Sequence, residues 1–94
     1  MKHAVARVDT DRAINYLQQL CKHFAHKLSV EFTPEKGEIK FSIGTCRLEA
    51  EDRVLTLVAE AADGSALEQL QSVVDKHLLR FAFREPMQIV WQPI

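Results

Sequence analysis

The amino-acid sequence predicts an α+β fold, a two-layer sandwich in which two helices cover one face of an antiparallel sheet. Two segments carry apolar residues at helical spacing, four short alternating segments lie between them, and one further alternating segment lies near each end. A helix with a single apolar stripe must bury that stripe, whereas an antiparallel sheet can keep one face solvated. The predicted order is therefore β-α-β-β-β-β-α-β, within one domain that spans residues 1–94.

The first strand and the first helix are predicted from the N-terminal segment. Residues Ala4 to Val8 alternate between two faces, and Asp9 or Thr10 is suited to cap the helix that follows. From Asp11 to Leu28 the apolar residues recur at helical spacing. This stripe consists of Ile14, Leu17, Leu20, Cys21, Phe24 and Leu28.

Four strands joined by short turns are predicted after this helix. The first two contain Val30 with Phe32 and Ile39 with Phe41, and the segment from Pro34 to Gly37 predicts the turn between them. The chain breaks again at residues 43–45.

The third and fourth strands run from Cys46 to Ala50 and from Val54 to Ala59. A two-residue turn at positions 51–52 would place Leu48 opposite Leu55, and paired residues share a face of the sheet. Cys46 is then predicted on the buried face. The open face would carry Arg47, Glu49 and Thr56.

The second helix is predicted to begin at a capping box, Ser65 to Glu68, and to end before Pro86, since the residue before a proline disfavours helix. Residues Met87 to Trp91 alternate and predict a last strand. The stripe of this helix consists of Leu67, Leu70, Val73, Val74, His77, Leu78 and Phe81.

Composition excludes several classes of protein. Twelve Lys and Arg against thirteen Asp and Glu give a net charge of −1, so we expect neither a nucleic-acid partner nor an anionic membrane. Two cysteines are too few for a disulfide framework, and no segment resembles a signal peptide or a membrane span. We expect a cytoplasmic protein.

Two histidines of the first helix form a candidate metal site. At about 100° per residue, His23 and His26 lie about 60° apart on the polar flank that also carries Tyr16 and Gln19, while Cys21 lies about 160° from His23. One ion therefore cannot bind both Cys21 and His23. The pair supplies two ligands where zinc usually needs three from the protein. A partner, another copy, or a residue such as Glu31 or Asp11 would have to supply the rest; the alternative is an ordinary solvated helix face.

The second anomaly is His77, which lies near the centre of an apolar stripe. It is predicted to be a neutral, buried imidazole with a hydrogen-bond partner; a ligand-facing or pH-sensing role is the alternative. Cys21 and Cys46 are also predicted to be buried, where a thiol acts as a small hydrophobe.

The segment from Arg80 to Glu85 mixes basic and aromatic residues. It could bind an anion through Arg80 and Arg84. The alternative is a helix C-terminus at which the arginines offset the helix dipole while Phe81 and Phe83 fill the core.

Three segments resemble one bacterial family. Cys21-Lys22-His23-Phe24-Ala25-His26-Lys27, Gly44-Thr45-Cys46 and the segment from His77 to Glu85 resemble the DUF2218 family, over residues Ala4 to Trp91. The resemblance implies a sandwich similar to the TATA-binding-protein-like fold, which agrees with the element order, and an association with iron and siderophore genes in some bacteria. It implies no established activity. Ser42-Ile43 departs from the family pattern, which concerns the local turn alone.

We therefore expect a small non-catalytic binding or accessory module without a cofactor, whose partner is a protein or a small molecule. The candidate surfaces are the open sheet face and the polar flank of the first helix. The alternative is a metal-binding protein that uses His23 and His26.

Overall fold

Six strands form one antiparallel sheet, and two helices cover one of its faces, in the computed structural model, which describes residues 1–94. The strand order across the sheet is β2-β3-β4-β5-β1-β6. The predicted α+β class and element order are confirmed. The elements are β1 (Lys2–Asp9), α1 (Ala13–Ala25), β2 (Ser29–Phe32), β3 (Lys36–Phe41), β4 (Gly44–Glu51), β5 (Val54–Ala61), α2 (Gly64–Phe81) and β6 (Gln92–Pro93).

The core lies between the helices and one face of the sheet. Alternate residues of β4 and β5 point into it, and both helices bury one stripe against them. Each fully buried leucine contributes about 1.5–3 kcal/mol relative to an exposed one. The largest fully buried side chains are Leu17, Leu20, Ile39, Leu48, Leu55, Leu57, Leu70 and Leu78. Neither helix combines the length and the apolar character needed to cross a bilayer.

Helix α1 packs closely against the sheet at Gly37. A Cβ atom at this position would lie 2.6 Å from Sγ of Cys21, which is fully buried. The prediction of Gly37 as a turn residue was wrong. The turn precedes it, where the Thr33 N–H donates to the Lys36 carbonyl, and Gly37 lies inside β3. This glycine makes room for the thiol.

The β4–β5 hairpin has a different register from the one predicted. Glu51 lies opposite Val54, so the turn is Asp52-Arg53, and Leu48 lies opposite Leu57 instead of Leu55. Moving the turn by one residue moves each pairing by two. Because the side-chain period of a strand is two, every residue keeps its predicted face.

Helix α1 is shorter than predicted, from Ala13 to Ala25. The hydroxyl of Thr10 accepts a hydrogen bond from the Arg12 N–H at 3.1 Å, and the Thr10 N–H donates to the Arg53 carbonyl. Thr10 is therefore buried in the turn before the helix. Ile14 was predicted in the apolar stripe, but it is 44% exposed, so the stripe is narrower than its periodicity suggested.

Helix α2 begins and ends earlier than predicted. Asp63 caps it, since its carboxylate accepts from the Ala66 N–H at 2.8 Å; the predicted capping box at Ser65 was wrong. The helix ends at Phe81, where the Ala82 N–H donates to the Leu78 carbonyl, so Pro86 lies beyond its end.

The segment that follows α2 alternates as predicted but is not a strand. Met87, Ile89 and Trp91 pack against the core, yet only Gln92-Pro93 pairs with β1. The indole N–H of Trp91 donates to the Asp75 carboxylate at 2.8 Å, so this segment is anchored to α2.

We expect Gly37→Ala to lower the free energy of unfolding by about 1–3 kcal/mol, the usual cost of overpacking a core. The reason is the clash with Cys21, so Cys21→Ala should recover part of this loss when both changes are combined. Urea unfolding of the two single variants and the double variant measures the coupling. Gly64→Ala is the control, because nothing lies within 4 Å of its Cβ position. Strictly additive effects of the Gly37 and Cys21 changes would contradict the clash.

Candidate functional site

The two helices meet along rings from four side chains, which we call the helix seam: His23 and Phe24 of α1 with His77 and Phe81 of α2. The ring centroids of His23 and His77 are 4.9 Å apart, and those of Phe24 and His77 are 4.8 Å apart. Phe24 also contacts Phe41 of β3, with centroids 5.0 Å apart. The seam therefore continues into the core.

A cleft of about 440 Å³ opens at the C-terminal end of α1, beside the seam. We call it the histidine cleft. It is lined by imidazole, phenyl and aliphatic groups with one ammonium, and no carboxylate takes part. The lining residues are His23, Phe24, His26, Lys27, Leu28 and His77.

His77 is half-buried at this cleft, so the prediction that it lies deep in the core was wrong. It has a backbone partner, as predicted, but within its own helix: Nδ1 lies 2.8 Å from the Val73 carbonyl oxygen. A carbonyl can only accept, so Nδ1 carries the proton. In the neutral ring, Nε2 is then the acceptor.

His23 is exposed, yet its ring is partly covered by the seam. This partial burial is the main cause that lowers its pKa below 6.5. The positive charges of protonated His77 and His26 and of Arg80 and Lys27 lower the pKa further. His23 is therefore mostly neutral at neutral pH.

No further metal ligand lies beside the two histidines that were predicted to bind a metal ion. His23 and His26 are both exposed, as their helical phase predicted, and Cys21 is buried against β3. Over the whole chain, no three His, Cys, Asp or Glu side chains are arranged to hold an ion. Neither Glu31 nor Asp11 completes the site; Asp11 contacts Arg53 instead.

Both cysteines are free and fully buried, as their positions in the pattern predicted. Burial raises the pKa of Cys21 to about 11 and that of Cys46 to about 12. The thiolate is the reactive form, so neither side chain is suited to nucleophilic or redox chemistry at neutral pH.

Charge is strongly segregated along the chain. Residues 12–27 and 76–84 carry six of the twelve Lys and Arg and three of the four His, but none of the thirteen Asp and Glu. None of these six cations takes part in an ion pair. They are Arg12, Lys22, Lys27, Lys76, Arg80 and Arg84.

Glu85 organises the other end of the seam, a role that sequence reasoning missed. Its Oε1 accepts from the Tyr16 hydroxyl at 2.7 Å and from the Thr10 hydroxyl at 2.9 Å. Tyr16 was predicted on the polar flank of α1, but it is buried. Burial and the Glu85 carboxylate raise the pKa of Tyr16. Of the predicted polar flank, Gln19, His23 and His26 remain exposed.

The basic-aromatic segment after α2 lies on the surface. Arg80 and Arg84 are exposed, and the Arg84 guanidinium lies 5.3 Å from the Phe83 ring centroid. The expectation that Phe83 fills the core was wrong, since it is 75% exposed; Phe81 packs against the core as expected. An exposed phenyl ring between two arginines is therefore available to a partner.

The open sheet face carries Arg47, Glu49 and Thr56 as predicted. They line a concavity of about 440 Å³ together with Val5, Arg7, Val58, Gln92 and Ile94. Arg47 is paired with Glu38, with Nε and Oε2 3.3 Å apart. Charges of both signs lie on this face, so it differs from segments 12–27 and 76–84, whose charged residues are all basic.

We expect His23→Gln to flatten the acid-side dependence of stability on pH. The unfolded chain binds a proton at this imidazole near pH ~6.5, whereas the folded chain binds it only at lower pH, so protonation favours unfolding. The contribution of neutral His23 is present above this range and is lost as the pH falls through its folded pKa.

Urea unfolding between pH 8 and pH 5 measures this slope. Lys22→Gln, on the same helix, is the control, because lysines stay charged throughout this range. An unchanged slope in the His23 variant would contradict the assignment.

Comparisons with known proteins agree with this architecture. The family model described as an uncharacterized protein conserved in bacteria, DUF2218, matches residues 5–92. The NMR structure of PA4090 from Pseudomonas aeruginosa superimposes with a TM-score of 0.83 at 38% sequence identity, covering 98% of this chain and 96% of that one. No curated protein matches the chain. The chain belongs to the DUF2218 family.

Proposed function

We propose that this protein is a small non-catalytic binding module that docks an acidic segment of a partner protein along the helix seam. The observation that supports this proposal is the segregation of charge. Six cations without ion-pair partners share two segments that contain no acidic residue, although the net charge of the chain is −1. Such a surface attracts anionic partners and speeds their association.

Exposed apolar side chains favour a protein as this partner. Phe83 is 75% exposed and Leu79 is 46% exposed, and they lie in the same segment as Arg80 and Arg84. Aromatic residues and arginines are enriched at protein interfaces. A long polyanion such as RNA would also meet the rest of the chain, which contains all thirteen acidic residues and six cations, and would be repelled by it.

The chemistry of the reactive groups supports binding over catalysis. Both thiols are held protonated by burial, and the Glu85 carboxylate is engaged by two hydroxyl donors. A general base or nucleophile needs a pKa near the working pH and access to substrate. The lysines and arginines of segments 12–27 and 76–84 instead offer fixed positive charge beside the apolar rings of the helix seam.

We expect a labelled twelve-residue peptide rich in Asp and Glu, with one Phe and one Leu, to bind the helix seam. The combined change Arg80→Glu and Arg84→Glu should weaken this binding at least about tenfold, since each reversal replaces an attraction with a repulsion. Fluorescence anisotropy at low and high salt measures affinity, and amide chemical shifts locate the site.

The control is Lys36→Glu with Lys40→Glu, which changes the net charge equally on exposed positions of β3. Equal weakening by both double variants would show a general field effect and contradict docking at the seam. Tighter binding of single-stranded RNA or of phosphatidylserine vesicles than of the peptide would contradict a protein partner.

The family resemblance supports a process for this binding, the handling of iron or siderophores in bacteria. We expect a strain that lacks the protein to grow more slowly than its parent when a chelator limits iron, and restored iron should remove the difference. Equal growth of both strains under iron limitation would contradict a role in iron handling. It would not contradict docking of an acidic segment, which the peptide-binding experiment tests.

A further inference from the structure

We propose that the histidine cleft, which shares His23, Phe24 and His77 with the helix seam, binds a small aromatic carboxylate. The proposal does not depend on a partner protein, because the cleft is formed within one chain by α1, the residues that follow it, and α2. Its volume of about 440 Å³ is within the usual range for sites that bind small organic molecules.

The walls of the cleft suit a flat ligand. His23 and Phe24 meet edge to face, with centroids 5.0 Å apart, and His77 lies tilted against both rings. Leu28 adds an aliphatic surface. Aromatic rings attract one another in offset or edge-to-face arrangements, so a planar ligand gains contacts here that an aliphatic one does not.

The charges around the cleft select an anion. His26 and Lys27, which follow α1, line it, and Arg80 of α2 is close enough to lower the pKa of His23. No carboxylate lines the cleft, so a bound carboxylate would meet cations without competing with one. The ligand would supply the negative charge that is absent from the lining of the cleft.

The hydrogen bond of His77 prepares its ring for this role. Because Nδ1 donates to the Val73 carbonyl, the ring orientation is fixed and Nε2 is the nitrogen left for a ligand. The ring therefore presents a fixed polar edge to the cleft, and Lys27 supplies the positive charge that an anion needs.

The experiment titrates the isotope-labelled protein with 1-naphthoate and follows the amide and imidazole signals. We expect the largest shifts at the six lining residues. Lys27→Gln should weaken binding up to about fivefold, the range of an exposed ion pair. This side chain is exposed, so folding should be unaffected.

Lys22→Gln is the matched control, because it removes the same charge from an exposed position of α1 that lines a different surface. Equal weakening by both lysine variants would overturn the site, as would shifts centred on Val5 and Val58 of the sheet. Equal binding of 1-naphthylmethylamine would overturn selection for an anion. Stoichiometric binding of Zn²⁺ at His23 and His77, with no response to 1-naphthoate, would replace the proposal with a metal site.

Discussion

The one-sided apolar face of the sheet is the constraint on which the rest of the structure depends. Alternate residues of β4 and β5 are buried, while their neighbours form the opposite face. Two helices must therefore cover the same face side by side, and their edges must meet. The helix seam is a consequence of this arrangement, since it is where two partly covered stripes touch. Imidazole and phenyl rings suit such a boundary because they are apolar in body and, for histidine, polar at one edge.

The positions of the charges add to what net charge says about partners. The expectation of neither a nucleic-acid partner nor an anionic membrane rested on the balance of twelve cations and thirteen acids. Along the chain, six cations lie in two segments without acids, and the other residues carry six cations and thirteen acids. Cations near the C-termini of α1 and α2 offset the helix dipoles, which accounts for some of this charge but not for Arg12 at the other end of α1. Charge patterning along the sequence contained this information, and composition did not.

The face of a strand or helix on which a residue lies was predictable from the sequence in most cases. The hydrogen-bond partners of individual polar side chains were not. Periodicity placed Cys46 on the buried face even though the hairpin register was wrong by two residues, because parity survives such a shift. Periodicity placed Tyr16 on a polar flank. It carries no information on Glu85, 69 residues later, whose carboxylate accepts a hydrogen bond from the Tyr16 hydroxyl. Periodicity placed His77 in the core because this residue lies on the apolar stripe of α2. The stripe ends at the helix seam, where one side of the His77 ring is exposed. Long-range polar contacts decide these cases, and no local pattern encodes them.

Two acidic residues show why the cations of segment 76–84 have no ion-pair partner. Asp75 and Glu85 flank the acid-free segment 76–84, and either could have neutralised a neighbouring arginine or lysine. Instead, Asp75 accepts from the Trp91 indole, and Glu85 accepts from Tyr16 and Thr10. These hydrogen bonds hold the C-terminal segment against α1 and α2. They also turn the carboxylates toward donors that carry no charge. The contacts that hold the C-terminal segment in place therefore leave the six cations of segments 12–27 and 76–84 without internal counterions. A site for an external anion requires this condition.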